Sequence, residues 1–428
     1  MTANEAGAAI RLTGQAAGRG SRPAAQWICC QLGAREHYAV PRALHRLGRL
    51  RMMITDAWTR PGSPLSHIPG DLPRRLAERT HPDLDSADVR DLTRSLVKQE
   101  LDWRFRRRAD WDLLMARNAW FQSAVVSVLK EAETRPAERI ALFAHSYSAR
   151  EIFRFAKSKG WITVLGQIDP GEEHFKIVRR LADAAPQYGP APAGPPIEYF
   201  EQWREECALA DHIAVNSAWS REAVMRAGVA SDKLHVVPLA YEDGAAPAAA
   251  VHAYPERFTC ERPLRLLFVG SVSVVKGAAQ LLEAMSLLRD LAVTATLVGA
   301  RGMEIPAAWA NLPAVRLVGA VPRGEIAGYY DASDALIFPS HSDGFGMAQI
   351  EAQAAGLPIV ASPHCGRVVA DGVNGLVLPD VSAHAIAAAV RSLLHQPSRL
   401  TEFSRQAVAV SAAGLAQLGS ALVRLTKA

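Results

Sequence analysis

Ala335-Leu-Ile-Phe-Pro-Ser-His-Ser-Asp-Gly-Phe-Gly-Met-Ala-Gln-Ile-Glu-Ala-Gln-Ala-Ala-Gly-Leu-Pro-Ile-Val-Ala-Ser362 joins three elements in one short stretch. An apolar run of strand type, Ala335–Phe338, passes through the turn-forming Asp343-Gly344-Phe345-Gly346 into a helical pattern that carries Glu351 in its first turns. A helix N-terminus leaves backbone N–H groups without intrahelical partners, and glycines let a ligand approach them closely. At the C-terminal edge of a parallel sheet this arrangement suits a diphosphate or sugar hydroxyls. Asp343 and Glu351, eight positions apart, can accept hydrogen bonds from ribose and sugar hydroxyls. A loop that only turns the chain between two solvated acids fits the same residues, since strand–loop–helix units are often empty.

The pattern around this stretch repeats along the chain. Short apolar runs rich in Val, Ile and Leu alternate with longer helical patterns, which is how the βαβ units of parallel sheets read. Strands are expected at Gln26–Gln31, Arg51–Thr55, Arg139–Phe143, Thr163–Gly166, His212–Val215 and Leu234–Val237. A second set is expected at Leu264–Val269, Ala295–Val298, Val315–Val318, Ala335–Phe338, Ile359–Ala361 and Gly375–Val377. Between the sets, Asp243–Pro255 carries Ala, Gly and Pro without periodicity, which marks a linker. The expected organisation is an α/β chain of two doubly wound, Rossmann-like domains. A flexible extension at 1–24 precedes a first domain at 25–242, a linker at 243–258 and a second domain at 259–397; a helix over 398–428 is long enough to cross back onto the first domain.

At 428 residues, with 49% hydrophobic and 21% charged residues, the composition provides material for two cores and excludes a disordered or fibrous chain. No apolar run approaches the roughly 18 residues of a membrane-spanning helix. The N-terminal stretch carries Arg11, Arg19 and Arg22 without an apolar core, so it does not read as a secretory signal, and the expected location is cytoplasmic. Five cysteines, two of them adjacent as Cys29-Cys30 inside an apolar run, fit neither a disulfide framework nor a zinc ribbon. A net charge of +5 is small for this length and does not point to a nucleic-acid partner. The charge is concentrated instead between Arg94 and Arg108, where Arg94, Lys98, Arg104, Arg106, Arg107 and Arg108 outnumber Glu100 and Asp102, with Trp103 and Phe105 interleaved. That stretch reads as a solvated amphipathic helix, or as a peripheral contact for an anionic membrane surface.

The segment ending at Ser362 resembles the E-x7-E signature of retaining glycosyltransferases of family 4, which have the GT-B fold. Asp343 stands where the family usually has its first Glu, and Glu351 matches the second. The resemblance implies that Glu351 binds the nucleotide ribose, while Asp343, Gly344, Phe345 and Gly346 face the donor sugar; Met347 at the helix start is a further donor-binding candidate. Leu266-Leu-Phe-Val-Gly270-Ser271-Val-Ser-Val-Val-Lys276-Gly277 is similar to the strand and loop that grip the donor diphosphate; Lys276 matches, and Ser271 replaces the family's Arg. Leu317-Val-Gly319-Ala-Val321-Pro322 resembles the loop that receives the base, which makes Val321 a donor-binding candidate. Ala210–Arg221 and Val236–Tyr241 look like the segments that close the family's N-terminal domain.

Over residues 26 to 200 the resemblance is thinner. Gln31-Leu-Gly33-Ala-Arg-Glu-His37-Tyr38 resembles the family's first glycine loop, which lies near the diphosphate; Gly33 can approach a phosphate closely, and His37 is a candidate for the acceptor pocket. His145 and Asp169 lie in loops after strand candidates; Asp169, at the place where many relatives carry a His or Asp near the transferred sugar, joins Lys276 and Asp343 as a catalytic candidate, and His145 joins His37 on the acceptor side. An Asp-Pro turn accounts equally for Asp169, and a structural role for a lone His. The implied function is transfer of a sugar from a nucleotide-sugar donor to an unidentified acceptor, with retention and with no cofactor or metal. A non-catalytic nucleotide-sugar-binding partner, or another GT-B enzyme such as a phosphorylase or epimerase, stays open at this level.

Overall fold

The computed structural model describes residues 24–59, 79–132, 138–190, 192–240, 251–409 and 414–427. The N-terminal extension through residue 23 and the linker candidate from 243 to 250 lie outside the described residues, as does Tyr241. Among the described residues the first sheet contains β1 (Gln26–Gln31), β2 (Leu50–Thr55), β3 (Val89–Asp91), β4 (Ile140–His145), β5 (Ile162–Gln167), β6 (His212–Val215) and β7 (Leu234–Val236). The second contains β8 (Leu264–Val269), β9 (Val293–Val298), β10 (Val315–Gly319), β11 (Ala335–Phe338), β12 (Ile359–Ala361) and β13 (Gly375–Val377). All paired strands are parallel, in the orders β3-β2-β1-β4-β5-β6-β7 and β10-β9-β8-β11-β12-β13. Each sheet is therefore doubly wound, with helices on both faces.

The central strands of each sheet are buried on both faces, which is why they read as continuous apolar runs. Along β1, Trp27 and Cys29 enter one core cluster while Ile28 and Cys30 enter the cluster on the opposite face. The adjacent cysteines thus point away from each other, and burial raises both thiols well above the usual range. In β11, Ala335 and Ile337 pack on one side and Leu336 and Phe338 on the other. β3 was not expected from the sequence: it is a three-residue edge strand, Val-Arg-Asp, with one apolar residue.

The C-terminal region forms two helices, Pro397–Ala409 and Leu415–Leu425. Leu415, Leu418 and Leu422 of the second join the first domain's core with Trp27 and Leu44. Gly419 allows this close crossing, since a Cβ there would lie 3.1 Å from the Ala43 carbonyl and 2.8 Å from the Leu47 side chain. The chain just after residue 250 is anchored as well. Phe258 is buried in the second domain, and the Tyr254 hydroxyl donates to the Asp334 carbonyl at 3.1 Å.

Candidate functional site

In each sheet the strand order reverses beside the first strand, between β1 and β4 and between β8 and β11. Chains leaving adjacent strands at such a point diverge and open a crevice at the C-terminal edge. A cleft of about 470 Å3 lies there between the two sheets. Arg35, Glu36, Ile168, Asn216 and Leu239 line it from the first domain, and Gly270, Lys276, Asp343, Phe345, Gly346, Met347 and Glu351 from the second.

The loops after β8 and β11 are stitched together by backbone contacts. His341 N–H donates to the Val275 carbonyl at 2.8 Å, and the Ser340 hydroxyl donates to the same oxygen at 3.3 Å. Gly277 makes the approach possible: its φ is +73°, and a Cβ there would fall 1.9 Å from the Pro339 carbonyl oxygen. Lys276 is thereby brought against Asp343, and the ammonium donates to Oδ2 in an ion pair that is about three-quarters buried on the lysine side. Asp343 is held further by its own N–H, which donates to the His364 carbonyl at 2.9 Å.

Beyond the glycines the helix Met347–Ala354 starts from Gly346, at φ +90°. Its first turn lies on the cleft wall through Met347 and Ala348, and Glu351 follows one turn later. The buried Tyr330 hydroxyl donates to Glu351 Oε2 at 2.8 Å, which fixes the carboxylate toward the cleft side of the helix. Gln349 Nε2 and the Gly366 N–H both hold the Phe345 carbonyl, at 2.9 and 2.8 Å. Ser271 is exposed and does not line the cleft, and Val321 packs against the core around Tyr330 and Phe338.

On the first-domain side the structure redistributes the expected residues. Gly33 donates its N–H to Asp56 Oδ1 at 2.9 Å, and Arg79 Nη1 reaches the same oxygen at 3.3 Å. Glu36, His37 and Tyr38 are three consecutive non-glycine residues in the left-handed region, with φ of 50°, 52° and 60°. That run places Glu36 on the cleft wall and leaves the His37 side chain exposed. Burial pushes the Glu36 carboxyl up to about 7, against the opposing charge of Arg35. Backbone strain of this kind is concentrated at functional sites.

His145 does not reach the main cleft. It is buried behind it, edge-on to Phe143, and borders a cavity of about 30 Å3 closed by Leu418 and Leu422. Burial, reinforced by Arg35, lowers it to about 3, so the ring is neutral. Asp169 is pinned in its turn: Oδ1 accepts from the Tyr147 hydroxyl at 2.7 Å, Gly171 N–H at 2.8 Å and Gln167 Nε2 at 3.1 Å. His174, which the sequence did not single out, sits in the first turn after Gly171 and meets Ser342 Oγ of the second domain at 3.0 Å. Burial lowers its basicity, with Asp169 and Asp343 acting against the burial and Lys276 with it.

Comparison with known proteins agrees with this geometry. The family model described as glycosyl transferases group 1 matches residues 263–396, the region of β8 to β13 and the helix that follows them. A D-inositol 3-phosphate glycosyltransferase of Kineococcus radiotolerans is 30% identical over 313 residues, covering 66% of this chain and 70% of that protein. Another from Kribbella flavida is 33% identical over 166 residues, 35% of this chain and 39% of the relative. Among solved structures, HepE of Anabaena in complex with UDP superposes with a TM-score of 0.58 at 14% identity, covering 94% of this chain and 98% of that one. Sucrose-phosphate synthase of Thermosynechococcus elongatus gives 0.59 at 19% identity, with 94% and 98% covered. These likenesses in shape give the fold as GT-B, and together with the sequence relatives they show that the chain belongs to the group 1 glycosyltransferases.

Proposed function

We propose that the cleft binds a nucleoside-diphosphate sugar and transfers its sugar with retention at the anomeric carbon, as the resemblance to family 4 implies. The observation that carries this reading is the Lys276–Asp343 pair at the crevice beside a glycine-led helix start. The diphosphate lies at Lys276 and the amides after Gly346, the ribose at Glu351, and the sugar against Asp343 to Phe345. As the bond between anomeric carbon and diphosphate oxygen breaks, negative charge grows on the leaving group, and a fixed ammonium and N–H groups stabilise that charge more than the ground state. In this reading those groups take the part a metal plays elsewhere. Relatives named for D-inositol 3-phosphate make a phosphorylated cyclitol the first acceptor to test. A panel of nucleotide sugars screened by thermal shift identifies the donor, because a ligand that binds only the folded state raises the melting temperature. NMR of the product then reads its anomeric configuration; the donor's configuration is expected, and its inversion overturns the assignment.

A second reading concerns the basic stretch and rests on a separate observation. In the helix Thr93–Phe105, Val97, Leu101 and Phe105, spaced four apart, are 44%, 63% and 88% exposed. Arg94, Lys98, Arg104 and Arg107 beside this stripe have no ion-pair partner among the described residues, whereas Arg106 pairs with Asp102 and Arg108 with Asp112. An apolar stripe flanked by uncompensated cations suits the surface of an anionic membrane. No helix among the described residues is long and apolar enough to cross one.

A further inference from the structure

The glycine loop after β11 is gripped alternately by the two domains. Asp343 and Phe345 are held from within the second domain, by Lys276 and the His364 carbonyl and by Gln349 and Gly366. Ser342 and Gly344, the residues between and before them, are held from the first, by His174 and by the hydroxyls of Ser217 and Ser220.

We propose that Ser217 and Ser220, supported by Asn216, are positioning residues that hold this loop through the Gly344 carbonyl, so that it takes its working shape only when the two domains touch. The proposal rests on the reading of Asp343–Gly346 as the donor loop. Ser217 Oγ donates to the Gly344 oxygen at 2.6 Å and accepts from the Ser220 N–H at 3.0 Å, so its proton goes to the loop while its lone pair caps the helix Ala218–Arg226. Ser220 Oγ lies 3.1 Å from the same carbonyl and 2.8 Å from Asn216 Oδ1, and its single proton serves either. Both serines are buried, and a carbonyl buried there without these donors would be left unpaired, which is costly. Gly344 itself is fitted to the first domain: a Cβ would lie 2.8 Å from both Asn216 Nδ2 and the Ile168 carbonyl oxygen. The same interface includes Trp219 against His364, with ring centroids 4.7 Å apart.

The test compares the parent with the double variant Ser217→Gly, Ser220→Ala. Glycine at a helix N-cap costs little relative to serine, so the helix Ala218–Arg226 is spared while both hydroxyls are lost. UDP-glucose serves as probe donor, or whichever nucleotide sugar the parent turns over, with the matching nucleoside diphosphate as binding probe. Misplacing a reacting group by a small distance lowers turnover by about 10²-fold, and that loss in kcat is expected here, with nucleotide affinity changed by no more than about twofold. Ser217→Thr, which keeps the hydroxyl, restores most of the turnover. Unchanged kcat in the double variant overturns the proposal, as does a loss of kcat and nucleotide affinity together with a lowered melting temperature. Should the parent turn over no donor at all, the donor-loop reading fails by itself, and small-angle scattering then reads the latch alone. The radius of gyration of the ligand-free double variant is expected to exceed the parent's, and equal radii reject the latch.

Discussion

The Lys276 ammonium and the Asp343 carboxylate meet where the loops after β8 and β11 converge, and each is the other's partner at the mouth of the crevice. In the proposed reading a diphosphate at Lys276 would compete with Asp343 for the ammonium, and a donor sugar would offer Asp343 hydroxyls in exchange. Asp343→Asn keeps the shape and removes the charge. It is expected to lower kcat more than it weakens binding of the free nucleoside diphosphate, as compared by steady-state kinetics and calorimetry.

Tyr330 and Glu351 form the second fixed pair of the site. Glu351→Gln is expected to weaken nucleoside-diphosphate binding by about 1–3 kcal/mol, the range for a hydrogen bond to a charged group. Tyr330→Phe, which removes one hydrogen bond to the carboxylate and leaves its charge, is expected to cost nucleotide binding about 1 kcal/mol or less. Calorimetric titration of both variants checks the order, and equal affinity of parent and Glu351→Gln removes the ribose assignment.

His145 makes stability depend on pH. Its folded-state value is lowered from 6.5 to about 3, so between those limits the unfolded chain binds a proton that the folded chain does not. Stability therefore rises with pH through that window and is lost progressively on acidification below 6.5. Urea unfolding at about pH 5 and about pH 7 is expected to show a larger drop for the parent than for His145→Leu.

Asp334 is buried at the start of β11 and gathers Arg262 at 2.6 and 2.7 Å, Arg265 at 2.9 and 3.1 Å, and the Arg265 N–H at 2.8 Å. Removing one partner of a buried pair typically costs about 3–5 kcal/mol, and because both arginines can rehydrate, Asp334→Ala is expected near the lower end. Denaturant unfolding measures it.

The membrane contact is tested by sedimentation with vesicles containing anionic lipid. Each basic side chain near such a surface contributes about 1 kcal/mol and is screened by salt, so binding is expected at low ionic strength and not at high. Charge reversal at Arg94, Lys98, Arg104 and Arg107 is expected to abolish it without changing nucleotide binding. A parent protein that stays in the supernatant at low salt excludes the contact.

The two sheets were legible because parallel strands buried on both faces are continuous apolar runs; β1, β6, β8, β11, β12 and β13 fall where the sequence places them. β3 was not, having a single apolar residue at an edge. On the second domain's wall, Lys276, Asp343 and Glu351, all named from the sequence, line one cleft. The place of Glu36 on the cleft wall was hidden because no periodicity announces three left-handed residues in a row. The grip of Ser217 on Gly344 joins residues 127 positions apart, and its only local sign is a serine that caps a helix.

The account turns most directly on Lys276. Release of nucleoside diphosphate from the donor is measured for the parent and for Lys276→Ala, with melting temperatures taken alongside. If the ammonium stabilises the leaving diphosphate in the transition state, the variant is slower by about 10²-fold or more while the fold remains intact. Equal rates in the two proteins, with the fold intact in both, would contradict the placement of the donor in this cleft.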